Sequence, residues 1–139
     1  MSRSPTPVQP LKPSGLLPPG VPFAEGTRVG PTLYLSGVIG HLPQQLALPA
    51  GGIRAEARQA LQNIRAVLQA QGLDLHHLVR CTVMLADIAE WPAFNEVYRE
   101  FFAGWPLPAR SALGASGLAL GARVEIECIA AAPEAPEAP

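Results

Sequence analysis

The run Val124-Glu125-Ile126-Glu127-Cys128 alternates apolar and acidic residues without a break. A period of two is the signature of a β-strand. It turns Val124, Ile126 and Cys128 to one side and Glu125 and Glu127 to the other, the two carboxylates roughly 6–7 Å apart. Such a strand cannot be buried on both faces. It calls for a sheet with a hydrophobic core on one side and a different neighbour on the other.

The rest of the chain supplies that architecture. Residues 23–29 form a weak strand, Gly30-Pro31-Thr32 a turn, and residues 33–39 a stronger strand, before a Pro- and Gly-rich loop. Residues 53–71 read as a helix, because Ala57, Leu61, Ile64 and Leu68 recur at three- and four-residue steps and Gly72 supplies a left-handed stop. Residues 78–85 are a strand, with Val79, Cys81, Val83 and Leu85 on one face. Residues 90–103 are a second helix: Pro92 is tolerated in its first turn, Phe94, Val97, Tyr98 and Phe101 form its stripe, and Asn95 faces water. A run over 111–115 and the acidic strand complete the order β-β-α-β-α-β-β. This is an α+β chain with a mixed sheet and two helices covering one face. The opposite face is too apolar to ignore and too charged for a core. Another copy of the chain is its simplest cover.

Arg110 leads into the 111–115 run, and the link 114–121 is short enough for that run to pair antiparallel with the acidic strand. Arg110 and Glu125 then share a patch of sheet. A guanidinium offers a planar fork that fits a carboxylate in two hydrogen bonds, and a glutamate can orient or deprotonate a water. Spacing leaves two readings open, a hydrolytic site for a small carboxylate and an Arg–Glu ion pair on a solvated face. Glu127 reads as a packing or interface residue.

The 139-residue length suits one domain. Seven prolines precede residue 23 and three follow residue 132, so residues 1–20 read as a flexible Pro-rich tail, 21–132 as the domain and 133–139 as a disordered tail. A net charge of −1 with singly scattered arginines offers no basic face for nucleic acid. Cys81 and Cys128 fall in apolar strands and read as buried free thiols in a reducing compartment. There is no secretory h-region and no run of about 20 apolar residues, so a cytoplasmic protein without membrane contact is expected. Ser36 and Ser111 lack a nucleophile-elbow context. His76 and His77, as strand neighbours, point apart and make a shared metal site improbable. His41 sits in a loop and reads as solvated.

Pro108-Ala109-Arg110-Ser111 with Glu125 fifteen residues on resembles the signature of the YjgF/RidA (reactive intermediate deaminase A) family. Leu35-Ser36-Gly37 is similar to the family's second-strand motif. Asn63-Ile64, Gln71-Gly72-Leu73, Phe94-Asn95-Glu96-Val97-Tyr98 and Phe101-Phe102 are similar to its helices, and the likeness spans about residues 20 to 131. The resemblance implies a chorismate mutase-like fold and a homotrimer with sheets around a three-fold axis and sites between subunits. It implies hydrolysis of reactive 2-imino acids to 2-oxo acids and ammonia without a cofactor or metal. Arg110 would clamp the substrate carboxylate, Glu125 would steer water, the Ala112 carbonyl would contact the nitrogen, and Ser36 and Phe23 would border the substrate. The chain departs from the family pattern where Phe23 stands for a tyrosine, Val38 for a glutamine and Ala112 for a cysteine, which makes the pocket wider or more apolar. Two other readings accompany the enzyme: a non-catalytic, regulatory binder of small carboxylates at the same cleft, and an endoribonuclease, which the lack of a basic face disfavours.

Overall fold

The computed structural model describes residues 5–133. Its strands are β1 (Val8–Pro10), β2 (Gly26–Val29), β3 (Thr32–Leu35), β4 (Val38–Ile39), β5 (Leu78–Leu85), β6 (Ala109–Gly114) and β7 (Val124–Ala131). Two helices, α1 (Gly52–Ala70) and α2 (Trp91–Phe101), lie between β4 and β5 and between β5 and β6. All seven strands join one sheet in the order β1-β2-β3-β7-β5-β6, with β4 also pairing with β7. Only β5 and β6 run parallel. Parallel neighbours need a crossover between them, and α2 provides it. The architecture is the expected α+β one.

The alternation along β7 does what its sequence requires. Val124, Ile126 and Cys128 are buried with Cys81, Val83 and Leu85 of β5 and Leu33 and Leu35 of β3. Ala57, Leu61, Ile64 and Leu68 of α1 and Phe94 and Val97 of α2 close over them. Phe94 is fully buried, and truncating such a ring costs about 3–5 kcal/mol. Helix α1 ends at Gly72, whose φ of +76° is open to glycine at little cost. There the Leu73 N–H donates to the Leu68 carbonyl at 2.9 Å. Among the described residues no helix is long and apolar enough to cross a membrane.

Five expectations need correction. Residues 1–20 are not a free tail throughout: β1 pairs with β2, Leu11 is buried, and the Leu11 N–H donates to the Gly26 carbonyl at 3.0 Å. Pro10 is tolerated because an edge strand does not need every N–H. Residues 1–4, and the expected C-terminal tail beyond Pro133, lie outside the described residues. The run 33–39 is not one strand, since Ser36 and Gly37 interrupt it between β3 and β4. In β5 the pairing with β7 shifts between Leu78 and Arg80, so Val79 is exposed and Leu78 takes the buried side. Strand β6 does not pair with β7, because β5 lies between them. Finally, His76 and His77 sit in a short 3-10 turn rather than a strand, where the His77 Nδ1 accepts from the Asp74 N–H at 3.0 Å.

Candidate functional site

Strand β6 places Arg110 opposite Cys81 of β5, on the side covered by α2. The guanidinium carbon lies 4.8 Å from the centre of the Tyr98 ring and 5.6 Å from that of Phe94. An arginine Nη2 donates to the Asn95 Oδ1 at 2.7 Å. Two aromatic faces and one neutral amide hold the cation, and among the described residues Arg110 joins no ion pair. A guanidinium has five N–H donors in a fixed fork. With one committed to Asn95, most of its capacity is left for an anion. The π-faces add about 0.5–2 kcal/mol of attraction without neutralising the charge. Beneath the guanidinium, burial pushes the Tyr98 phenol up, so the platform stays neutral. The Tyr98 hydroxyl sits beside the Cys81 thiol and makes no other hydrogen bond among the described residues. Ala112, two residues along β6 and opposite Val83, is half-buried on the same side.

Asn95 is the candidate site residue that periodicity hides. It sits one position past the Phe94 stripe, where a polar side chain is expected to face water. Its hydrogen bond to Arg110 depends on β6 lying beside α2, a long-range contact that spacing does not encode.

The second group of candidates lies at the other end of the sheet. A cavity of about 470 Å³ opens where β3 gives way to β4, and Phe23, Ser36, Val38 and Glu125 all line it. The Ser36 hydroxyl donates to the Ala24 carbonyl at 2.6 Å and fixes the interruption between the strands. Gly37 is there for space, since a Cβ at this position would overlap the Glu125 carboxylate. The other polar groups on the wall are committed. Ser14 donates to Glu25 through its backbone and its hydroxyl. The Asn63 amide donates to the Ile39 and His41 carbonyls at 3.3 and 3.0 Å. His41, expected to be solvated, is buried, with its Nδ1 2.9 Å from the Leu42 carbonyl. Glu125 joins no ion pair among the described residues.

The two groups do not meet within one chain. Arg110 faces α2, whereas Glu125 alternates with the buried Val124 and Ile126 and points to the opposite side of the sheet. Strand β5 lies between them, and neither Arg110 nor Ala112 lines the cavity. The shared patch expected from sequence is therefore absent, and so is the Arg110–Glu125 ion pair that was its alternative. Glu127 is exposed and opposite Thr82.

Comparison with known proteins adds a family. The profile of the family described as "Endoribonuclease L-PSP" matches residues 16–132. A 2-iminobutanoate/2-iminopropanoate deaminase of Mus musculus is 42% identical over 109 residues, covering 78% of this chain and 80% of the mouse protein. The Homo sapiens protein of the same name is 40% identical over 109 residues, covering 78% and 79%. Among solved structures, E. coli TdcF with bound serine superposes with a TM-score of 0.82 at 28% identity, covering 90% of this chain and 99% of that one. Yeast Mmf1 gives 0.83 at 28% identity, covering 91% and 100%.

Proposed function

This chain belongs to the endoribonuclease L-PSP (YjgF/RidA) family, and we propose that it hydrolyses reactive 2-imino acids to 2-oxo acids and ammonia at sites shared between copies of itself. One observation carries the reading: the Arg110 guanidinium is oriented by Asn95 and two rings but, among the described residues, paired with no carboxylate. A substrate carboxylate is the natural occupant of that fork. The bound serine of TdcF, a small carboxylate, and the deaminase relatives support it.

The chemistry is simple and balanced. Water adds through oxygen to the imine carbon, and the C=N π electrons move to nitrogen. Glu125 takes a proton from the water and returns it to the nitrogen. Glu125 then takes the hydroxyl proton of this carbinolamine and passes it to the nitrogen, which leaves as ammonia as the C=O bond forms. Arg110 holds the carboxylate throughout, and the Ala112 carbonyl accepts from the substrate nitrogen. Imines hydrolyse readily, so positioning and one general base suffice.

Because Arg110 and Glu125 face opposite sides of the sheet, two copies must contribute to each site. A homotrimer with its sheets around a three-fold axis does this. Tyr34 and Leu113, 49% and 46% exposed on the face away from the helices, fit such burial. Cys81 and Cys128, buried as free thiols, suit the reducing cytoplasm.

The test is ammonia release from a freshly generated 2-imino acid, compared with the spontaneous rate. Full rate in an Arg110→Ala variant would remove the mechanism. The replacement of two polar family positions by Phe23 and Val38 favours one second reading, a non-catalytic carboxylate binder. It predicts saturable calorimetric binding with no turnover. The ribonuclease reading gains nothing from the structure: Arg54, Arg58, Arg65 and Arg123 are paired with Glu96, Glu100, Asp74 and Glu90.

A further inference from the structure

The cavity beside Glu125 is larger and more apolar than a three- or four-carbon imino acid requires. Its volume of about 470 Å³ falls in the ordinary range for small-molecule sites. Its wall carries Phe23, Leu46 and Leu120, which are 52%, 62% and 52% exposed although they are large and apolar. Three such side chains around one opening are unfavourable in water and are useful only if something apolar covers them. Leu120 adds a second sign. Its backbone sits at φ 59°, ψ 19°, a left-handed conformation uncommon for leucine. Strain of that kind collects where a loop must aim a side chain at a ligand.

The other polar side chains on the wall, Glu25, Ser36, Asn63 and the buried His41, each already hold a hydrogen bond within the protein. Glu125 is the one left for the reaction. An apolar segment of a partner subunit filling the cavity would leave no room for a substrate beside that carboxylate. A small amphipathic molecule leaves it at the reacting carbon.

We infer that this cavity receives the side chain of the substrate, and that the preferred substrates are 2-imino acids with a branched aliphatic or aromatic side chain. Phe23 and Leu120 set that preference. The inference rests on the reading of the site given above and extends it to a substrate class.

The experiment compares imines made in place by an amino-acid oxidase from leucine, phenylalanine and alanine, using the full chain. The expected kcat/KM for the leucine-derived imine exceeds that for the alanine-derived one by at least about tenfold, the discrimination a hydrophobic pocket typically gives. Phe23→Ser and Leu120→Ser should each shrink that ratio several-fold. Equal rates, or a preference for the alanine-derived imine, overturn the inference, as they would if a partner subunit filled the cavity. A binding measurement separates this failure from failure of the hydrolysis reading. Tighter calorimetric binding of 4-methyl-2-oxopentanoate than of pyruvate supports the pocket even if no imine turns over. Equal binding of both, without turnover, overturns both.

Discussion

Around Arg110 the contacts come from a single helix: Phe94, Asn95 and Tyr98 lie within one turn and a half of α2. Around Glu125 the walls come from several segments, among them the loop through Phe23, the β3–β4 interruption, α1 and the turn at Leu120. The first region is a rigid support for one charge. The second is an apolar chamber with one uncommitted acid. Short-range sequence can build the first, because residues three and four apart on a helix are neighbours. The second needs long-range assembly and tolerates substitution at its walls. On the proposed reading, a change at the charge support disturbs the clamp directly, whereas a change at a chamber wall such as Phe23 or Val38 leaves it in place.

The most damaging test separates the halves. Arg110→Ala and Glu125→Gln should each lower kcat/KM by roughly 10²–10³, from loss of a charge-assisted clamp and of a general base respectively. Mixing the two inactive variants in one refolded assembly should restore activity at about a quarter of the sites, by random assortment around a closed ring. No recovery would break the comparison, because it would put both halves of each site in the same chain.

Gly37→Ala comes next. Its Cβ would displace the Glu125 carboxylate, and a shift of that size near reacting atoms can cost about 10²-fold. The loss should appear in kcat, while a 2-oxo acid titrated by calorimetry still binds at Arg110. Weakened binding of the same size as the kcat loss would mean that the two regions are less independent than argued.

Asn95→Ala should do less, and on the opposite side. Losing one hydrogen bond to a charged group is worth about 1.5–3 kcal/mol where it is desolvated. The half-buried Arg110 keeps its two rings, so KM should rise about tenfold with kcat less affected. Equal losses in kcat and KM would assign Asn95 a part in the reaction beyond positioning.

The sequence shows local periodicity more readily than partnership. Both helices, the two-faced β7 and β5 beyond its first two residues follow from spacing, while the exposure of Val79 comes from the register shift against β7. The pairing of β6 with β5 does not, because α2 carries the chain back across the sheet and a strand next in sequence need not be next in space. The edge role of Val8–Pro10 was masked by prolines that an edge strand accommodates. The grouping of Phe23, Ser36 and Glu125 came from family likeness, since residues about a hundred positions apart share no spacing rule. Asn95 was illegible for a different reason. Polar residues at a stripe's border usually face water, and only the incoming strand gives this one an internal partner.

The smallest expected effect concerns the platform itself. The Tyr98 hydroxyl is buried beside the Cys81 thiol, whose sulfur is only a weak hydrogen-bond partner, and burial holds the phenol neutral. An unsatisfied buried hydroxyl costs about 1–3 kcal/mol, whereas the ring's attraction for Arg110 comes from its π-face, which phenylalanine retains. Tyr98→Phe should therefore leave kcat and KM within about twofold and leave thermal stability unchanged or raise it by about 1 kcal/mol. Denaturant unfolding and steady-state rates measure both. If the variant instead loses activity on the scale of Arg110→Ala, the hydroxyl is a polar group of the site, and the Arg110 side joins the Glu125 side in depending on contacts that a single chain does not supply.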